Sequence, residues 1–379
     1  MPSIVFVDDR PDDVTRFVES LTGRAECRAV HPQDLTIEDL ASASLVLIDS
    51  RLEDWPERDA LPQIALKPLD GKALAAVLRG HAEGAKQNGL TAFALLTAHL
   101  EDYSESVQPD NHEQALASSN NLEWVFRKTT DLQILTNQFL ILAGAVTLLP
   151  RKWPLSDPRE TQRLLMQLLA IKEERNWASR ALVDVEKCRP PVRELSEWSH
   201  GIELLRWLLH RIIPYPCFLW ERVRVAARLR MTVTSLDTVL GSECELADAL
   251  RECEYTGVAS QFLGRRWWRA GLESKLWEMT DSKPFDVSTL KAALSARSST
   301  RIEWAAQDDP IVCIDEHYKT LEEFSDISSA VRLMLDDWPS YADAPWTPIS
   351  IAKEHPEMMA AVFEQDKNRA GNDEEVAGG

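Results

Sequence analysis

Three carboxylates, a hydroxyl and an ammonium each follow a short apolar run in this sequence. The carboxylates belong to Asp8, Asp9 and Asp49, the hydroxyl to Thr97 and the ammonium to Lys128. Carboxylates forced close together repel one another unless a hard cation lies between them, and oxygen ligands with room for water suit Mg²⁺. A hydroxyl and an ammonium beside that cation would donate to an anionic group. The five residues therefore have the chemistry of a magnesium site that handles an anion, if the fold brings them together.

The apolar runs that precede these residues have the length and composition of buried strands. The carboxyl ends of parallel strands meet at one edge of a sheet, where α/β proteins bind ligands, so we expect the five side chains to converge there. A further strand is predicted over 26–30, and the segments between the strands have helical spacing. Together they make five strand–helix units. This pattern predicts an α/β fold with a doubly wound, five-stranded parallel sheet of the flavodoxin-like kind. The four runs cover residues 4–7, 45–48, 93–96 and 122–126.

The order of these residues resembles the receiver domain of bacterial response regulators, the phosphoacceptor half of two-component signalling. The resemblance assigns the acidic pair to Asp8 and Asp9, the phosphorylated aspartate to Asp49, the hydroxyl switch residue to Thr97 and the lysine to Lys128. It implies a sensor histidine kinase as the phosphoryl donor. It also implies a phosphoacceptor with at most self-catalysed phosphotransfer and dephosphorylation, and not an enzyme in the usual sense.

The resemblance places Mg²⁺ among Asp8, Asp9, Asp49 and the backbone carbonyl of Arg51. The cation would screen the charge of Asp49 from an incoming phosphoryl group, so that a carboxylate can attack phosphorus. Phosphorylation then adds roughly −1.5 to −2 charge at a site whose neighbours can rearrange around it. The expected behaviour is that of a switch.

A structural interpretation of the same residues is a pseudo-receiver, in which the first domain is only a docking platform. Asp8 and Asp9 would then cap the helix that begins near Pro11, Asp49 would be a turn residue and Lys128 a solvated charge. Because every chemical position is intact, we favour a working phosphoacceptor.

The sequence departs from the receiver pattern at several positions. Lys128 is followed by Thr129 instead of proline, and Val125 occupies the usual place of an aromatic switch residue. The chain between Asp49 and Thr97 is longer than usual, and residues 101–111 add a second long segment. Phosphoryl chemistry tolerates these changes, whereas the usual route from the site to a partner is altered.

The composition is that of an acidic protein of 379 residues, with 61 Asp and Glu against 42 Lys and Arg and a net charge of −19. Such a surface has no general attraction for nucleic acid or anionic lipid. The start of the chain leads directly into the first strand without a signal peptide, and no apolar run is long enough to span a membrane, which predicts a cytoplasmic protein. Six cysteines without close pairing fit reduced thiols better than disulfides or a zinc site.

The domain organisation follows from shifts in composition. Residues 1–148 are predicted to form the receiver, 149–158 a linker, 159–363 a mainly helical output or interaction domain, and 364–379 a disordered acidic tail. Few strands are expected in the second half, and the clearest candidate is 311–314.

The output of the second half has three competing interpretations. A protein-interaction module fits the acidic surface and the lack of enzyme motifs best. A DNA-binding transcription regulator would use the helix-turn-helix spacing over 225–240, although its second helix lacks basic residues, so DNA is an unlikely partner. A phosphate sink would buffer a stress or phage-defence relay. The oligomeric state is left open by the sequence, and the resemblance to receivers implies a possible homodimer that pairs through the fourth and fifth strand–helix units. A basic aromatic cluster, 265–269, is expected to form ion pairs or a partner surface.

Overall fold

The computed structural model describes residues 1–54, 67–84, 90–100, 112–153, 157–191 and 201–371. The chain divides into two compact units. The first, which we call the sheet unit, comprises Met1–Leu169, Pro190–Pro214 and Gly257–Leu263. The second, which we call the helical unit, comprises Ala170–Arg189, Tyr215–Thr256 and Gly264–Gly379.

The sheet unit is built on a five-stranded sheet in which all neighbouring strands are parallel, in the order β2-β1-β3-β4-β5. This topology confirms the predicted fold class. The strands are β1 Ser3–Val7, β2 Glu26–Val30, β3 Leu45–Asp49, β4 Ala92–Thr97 and β5 Trp124–Arg127. The helices between and after them are α1 Thr15–Leu21, α2 Ile37–Ser42, α3 Gly71–Gly84, α4 His112–Ser119 and α5 Leu132–Leu148.

Alternate side chains of the buried strands pack on opposite faces of the sheet. On one face, Val46 and Phe93 belong to an apolar cluster that includes residues of α2, α3 and α4. On the other face, Phe6 packs against Phe17 of α1 and Phe139 of α5, with ring centroids 6.2 and 6.0 Å away. Both faces are thus covered by helices, as the continuous apolar runs in the sequence require.

The compact unit that holds the sheet continues well past the predicted boundary at residue 148. α6 (Pro158–Leu168) and α8 (Ile202–Trp207), which continues into a π-helical turn over Leu208–Ile212, belong to it. His210 packs on Trp124 with ring centroids 6.4 Å apart, and Phe262 packs edge-on to Trp124 at 5.0 Å. Segments beyond the predicted boundary at 148 therefore belong to the same compact unit and cover the edge strand β5.

The helical unit matches the prediction of a mainly helical second half. Its described strands form three antiparallel pairs, and the predicted strand over 311–314 is confirmed as part of β8. The helices are α7 Ala178–Lys187, α9 Arg222–Arg228, α10 Val233–Leu240, α11 Glu245–Glu252, α12 Arg269–Met279, α13 Val287–Arg297, α14 Ile349–Glu354, α15 Pro356–Ala360 and α16 Glu364–Gly371. The strands are β6 Leu219–Glu221, β7 Arg266–Trp268, β8 Pro310–Ile314, β9 Thr320–Asp326, β10 Ala330–Arg332 and β11 Trp346–Pro348.

The predicted disordered tail is wrong in its first half. Residues Glu364–Gly371 form α16, in which Asp366 and Ala370 are buried. The Asp366 carboxylate accepts hydrogen bonds from the Arg332 Nε at 2.8 Å and from its backbone N–H at 3.1 Å. This ion pair and the apolar contact of Ala370 hold a segment that composition alone classes as disordered. Residues 372–379 lie outside the described residues.

Among the described residues, no helix combines the length and apolar character needed to cross a membrane.

Candidate functional site

The five side chains predicted to converge do lie together at the carboxyl edge of the sheet. Asp8 and Asp9 follow β1, Asp49 is the last residue of β3, Thr97 is the last residue of β4, and Lys128 follows β5. Carboxylate oxygens of Asp8, Asp9 and Asp49 lie within 4.8 Å of one another. The strand ends thus bring together residues that are up to 120 positions apart in sequence.

The Lys128 ammonium bridges two of the carboxylates. Its Nζ lies 3.2 Å from Asp8 Oδ2 and 3.0 Å from Asp49 Oδ1. The three side chains are only 17%, 3% and 15% exposed respectively, so this is a largely buried cluster with one more carboxylate than ammonium. The Lys128 backbone N–H donates to the Thr97 carbonyl at 2.7 Å, which fixes the start of the lysine loop to the end of β4.

Burial and charge act in opposite directions on the ionisation of this cluster. Burial raises the pKa of Asp8 and of Asp49 above their ordinary values, although Lys128 partly offsets the shift. Burial alone would lower the pKa of Lys128, but the charges of Asp49 and Asp8 outweigh it, so the pKa of the ammonium is raised. One ammonium is therefore shared between two carboxylates that are incompletely neutralised, which is the electrostatic state that a divalent cation relieves.

Asp9 completes the acidic group from a more exposed position. Its Oδ2 accepts a hydrogen bond from the backbone N–H of Asp54 at 2.6 Å. The Asp54 carboxylate in turn pairs with Arg10, whose Nε lies 2.5 Å from Asp54 Oδ2. The Arg10 backbone N–H donates to Asp8 Oδ1 at 2.9 Å. The loop after β1 and the loop after β3 are thus tied together around the acidic pair.

Thr97 is fully buried, and its hydroxyl oxygen accepts hydrogen bonds from two groups. Ser50 donates through its Oγ at 2.8 Å, and the His99 backbone N–H donates at 3.0 Å. Ser50, which sequence reasoning did not single out, also donates its backbone N–H to Asp49 Oδ1 at 2.9 Å. A hydroxyl relay therefore connects the end of β3 to the end of β4 immediately beside Asp49.

The remaining predicted ligand, the backbone carbonyl of Arg51, stays a prediction. Arg51 forms an isolated antiparallel bridge with Asp70, and the flanking Leu52 N–H donates to the Leu69 carbonyl at 2.9 Å. This bridge joins the segment after β3 to the start of α3. The donor set observed at the edge, three carboxylates from two adjacent strands with Asp8 nearly inaccessible, fits a hard divalent cation such as Mg²⁺.

Gly71 is a positioning residue that sequence reasoning missed. It begins α3, and its N–H donates to the Ser50 carbonyl at 3.0 Å. A Cβ atom at this position would lie 2.0 Å from the Asp49 carbonyl oxygen and 3.1 Å from Leu95 Cδ2. Only glycine lets the helix approach the backbone of Asp49 this closely, and a lone glycine in the sequence carries no sign of that approach.

We expect Gly71→Ala to destabilise the sheet unit by about 1–3 kcal/mol, the usual range for overpacking, because the backbone of Asp49 or α3 must move. Gly80→Ala is the matched control. Gly80 lies in the same helix and is exposed, and a Cβ atom there would meet no other atom within 4 Å, so alanine should add about 0.5–1 kcal/mol of stability through helix propensity. Thermal denaturation of both variants checks this; equal shifts would show that Gly71 has no special role.

The departures from the receiver pattern have structural counterparts. Val125 is fully buried, and its neighbours Trp124 and Phe126 pack on this chain's own aromatic rings. Phe126 contacts Phe139 at 4.8 Å between centroids. The flanking aromatic residues are therefore core residues. Of the two long segments, residues 55–66 and 101–111 lie outside the described residues.

In the basic aromatic cluster over 265–269 the two tryptophans are buried, and the arginines Arg265 and Arg269 are partly exposed and form ion pairs. Arg265 forms a two-point ion pair with Glu254, at 2.9 and 2.5 Å, and Arg269 pairs with Asp343 at 3.1 Å. Trp267 and Trp268 are both buried. The tryptophans therefore belong to the core, and carboxylates offset the charge of both named arginines.

The helix-turn-helix spacing over 225–240 corresponds to two consecutive helices, α9 and α10. Arg230, in the turn where this motif usually has glycine, adopts a φ of 56°. The exposed residues of α10 are Thr234, Asp237 and Thr238, and Asp237 is paired with Arg222 at 2.7 Å. A helix that exposes hydroxyls and a carboxylate lacks the cations that hold DNA phosphates.

No protein-family model and no curated protein matches the chain. Solved structures do match, among them RcsB from Salmonella enterica serovar Typhimurium, bound to a promoter in the presence of the phosphomimetic BeF₃⁻. That alignment covers 55% of this chain and 98% of the other, with 15% identity and a TM-score of 0.25. A TM-score this low supports no functional conclusion.

Proposed function

We propose that the sheet unit is a phosphoacceptor of the response-regulator kind, which takes a phosphoryl group on Asp49 from a histidine kinase. The single observation that carries the proposal is the convergence of the acidic cluster with Lys128 and Thr97 at one edge of a parallel sheet. Three carboxylate groups lie within 4.8 Å of one another, and only two of them share the largely buried ammonium of Lys128, an arrangement that is costly for stability.

The chemistry assigned to these residues is an in-line displacement at phosphorus. A carboxylate oxygen of Asp49 forms the new O–P bond, the N–P bond of phosphohistidine breaks, and the electron pair stays on the imidazole nitrogen, which then takes a proton from solvent. Lys128, already 3.0 Å from Asp49, would keep its contact with the negatively charged product. Asp8, Asp9 and Asp49 would hold Mg²⁺, which supplies charge screening between the two anionic reactants.

Thr97 would couple phosphorylation of Asp49 to a conformational change. Its hydroxyl accepts from Ser50 in this state, and a phosphoryl group on Asp49 would offer new acceptor oxygens to both hydroxyls. A shift of this relay is a candidate two-state element through which phosphorylation changes the helical interaction domain or its partner.

The decisive experiment is intact-mass analysis after incubation with Mg²⁺ and acetyl phosphate, a small phosphodonor. We expect one added phosphate that requires both Mg²⁺ and Asp49. The Asp49→Asn variant should take up none, whereas Glu19→Gln, which alters an exposed acid of α1 outside the cluster, should retain labelling. Because Asn preserves the shape of Asp, its loss of labelling reports on the nucleophile and not on folding.

Retention of the full phosphate stoichiometry in Asp49→Asn would overturn the assignment. Absence of labelling in the wild type, from acetyl phosphate and from a panel of histidine kinases alike, would leave the pseudo-receiver interpretation. The site would then be a structural acidic cluster, and activity would have to be sought in the helical unit.

Three further proposals concern the output. The interaction module remains favoured, since the exposed residues of α10 disfavour DNA reading. A phosphate sink would drain a kinase in competition with a second receiver, and that competition is its test. Homodimer pairing through the fourth and fifth strand–helix units would have to displace His210 and Phe262 from β5, because this chain's own residues cover that edge.

A further inference from the structure

The helical unit contains a cavity of about 370 Å³. Residues of β6, of α9 and of the start of β8 line it. Its lining combines apolar side chains with arginines. The residues that matter for its chemistry are Trp220, Arg224, Arg228, Arg230, Phe285 and Asp343.

The arginines around the cavity differ in how they are neutralised. Arg228 forms a two-point ion pair with Glu273, with both N···O distances 2.9 Å. Arg230 pairs with Asp309 at 2.7 Å. Both cations therefore have close carboxylate partners, and neither needs a ligand.

Arg224 is the exception. Its side chain is only 13% exposed, and its buried Nε has no hydrogen-bond partner among the described residues. Its ion-pair contact is loose, with 3.6 Å between Nε and Glu221 Oε1. Burial lowers the pKa of Arg224, although Glu221 and Asp343 act against the shift. Buried guanidinium donors are normally satisfied, and an unsatisfied one calls for a water, an ion or a ligand.

The neighbours of Arg224 define what else the cavity would recognise. Trp220 is buried, and its indole N–H has no hydrogen-bond partner among the described residues. Phe285 lies at the mouth and is 78% exposed, which is unusual for a ring of this size. The Arg228 guanidinium lies 5.0 Å from the centre of that ring. Exposed aromatic surface of Phe285 and an arginine with an unsatisfied Nε donor, both in the lining, suit a planar organic molecule that carries an anionic group.

We infer that this cavity binds a small organic anion, with a carboxylate, sulfonate or phosphate group at Arg224 and a planar apolar body against Trp220 and Phe285. The site is separate from the phosphoacceptor cluster, so its existence does not depend on the proposed function. A ligand in this cavity would act on the helical unit independently of phosphorylation at Asp49.

Isothermal titration of the full chain with naphthalene-2-sulfonate, and with neutral 2-naphthol as the matched probe, tests the inference. We expect one sulfonate per chain, bound more tightly than the naphthol. Arg224→Gln should weaken sulfonate binding by roughly tenfold, the effect of losing a hydrogen bond to a charged group, and leave naphthol binding nearly unchanged. Arg224→Lys should keep most of the preference. Arg222→Gln, in the same helix but outside the cavity, should keep all of it.

A second pair of variants avoids the buried position. Phe285→Glu places a negative charge at the exposed mouth and should weaken sulfonate binding, whereas Val287→Glu, two residues away and outside the lining, should not. If Arg224→Gln does not fold, the Phe285→Glu and Val287→Glu variants still test whether the cavity binds the sulfonate. Equal affinity for the two probes, no binding of either, or an unchanged preference in both Arg224→Gln and Phe285→Glu would overturn the inference.

Discussion

Lys128→Met is expected to lower the free energy of unfolding of the sheet unit by roughly 3 kcal/mol in the absence of Mg²⁺, the usual cost of removing one partner from a buried ion pair. The variant leaves Asp8 and Asp49 without the ammonium that now lies 3.2 and 3.0 Å away. Methionine fills similar space, so the change removes charge more than packing. The measurement is thermal denaturation in EDTA.

Adding Mg²⁺ should recover much of the free energy of unfolding that Lys128→Met loses. If the acidic cluster holds the cation, Mg²⁺ replaces the missing positive charge, and its stabilising effect is larger in Lys128→Met than in the wild type. At one hundred times the dissociation constant, binding to the folded state alone adds about 2.7 kcal/mol. Lys187→Met is the control, because Lys187 is 61% exposed in a surface pair with Asp184 and should change stability by less than about 1 kcal/mol. A Mg²⁺-induced shift that is the same in all three proteins would count against the metal site.

The loss of stability in Lys128→Met should depend on pH in one direction. Burial raises the pKa of Asp8 and Asp49 in the folded protein above the unfolded value of about 4. The folded state therefore binds more protons than the unfolded state in that interval, and the contribution of these groups to stability falls as pH rises. Without Lys128 the two pKa values should rise further. The stability gap between variant and wild type should accordingly narrow as pH is lowered from 7 towards 5.

The parts of the site that the sequence predicts are those set by local pattern and sheet topology. An apolar run marks a buried strand, and the residue after it must lie at the carboxyl edge of a parallel sheet. Asp49 and Lys128 were placed by that reasoning alone, although 79 positions separate them. The strand predicted over 26–30 has the observed bounds of β2, Glu26–Val30.

The parts that the sequence does not predict depend on contacts between distant backbone segments. Gly71 approaches the Asp49 carbonyl because α3 begins at that point. No strand pattern fixes the length of the segment between β3 and α3, so the sequence does not show where α3 begins. The tail from Glu364 reads as polar and disordered, yet Arg332 neutralises Asp366 from 34 positions away. Glu123 is a third case. It lies inside an apolar run as the only charged residue, and nothing near it in sequence indicates its partners.

Glu123 is fully buried directly before β5, and groups from three elements satisfy its carboxylate. Arg206 of α8 lies 2.7 Å from Oε1, Arg79 of α3 lies 3.3 Å from Oε2, and the Phe93 backbone N–H donates to Oε2. Both arginines are at most 16% exposed. The Arg206 guanidinium also donates to the Asn121 carbonyl at 3.2 Å. This network fastens the segment beyond residue 200 to the edge of the sheet, directly before the strand that leads to Lys128.

Arg206→Met should therefore lower the free energy of unfolding by roughly 3 kcal/mol, because it strips a buried carboxylate of its closer cation. Arg180→Met is the matched control, since Arg180 is 71% exposed in a surface pair with Asp184 and should cost about 0.5 kcal/mol or less. Thermal denaturation compares the two, and equal losses would contradict the role given to Glu123. Limited proteolysis adds a second readout: if Arg206 fastens residues 201–214 to β5, cleavage in that segment should accelerate in Arg206→Met and not in Arg180→Met. Faster cleavage together with unchanged labelling of Asp49 would show that this clamp and the phosphoacceptor chemistry are separable.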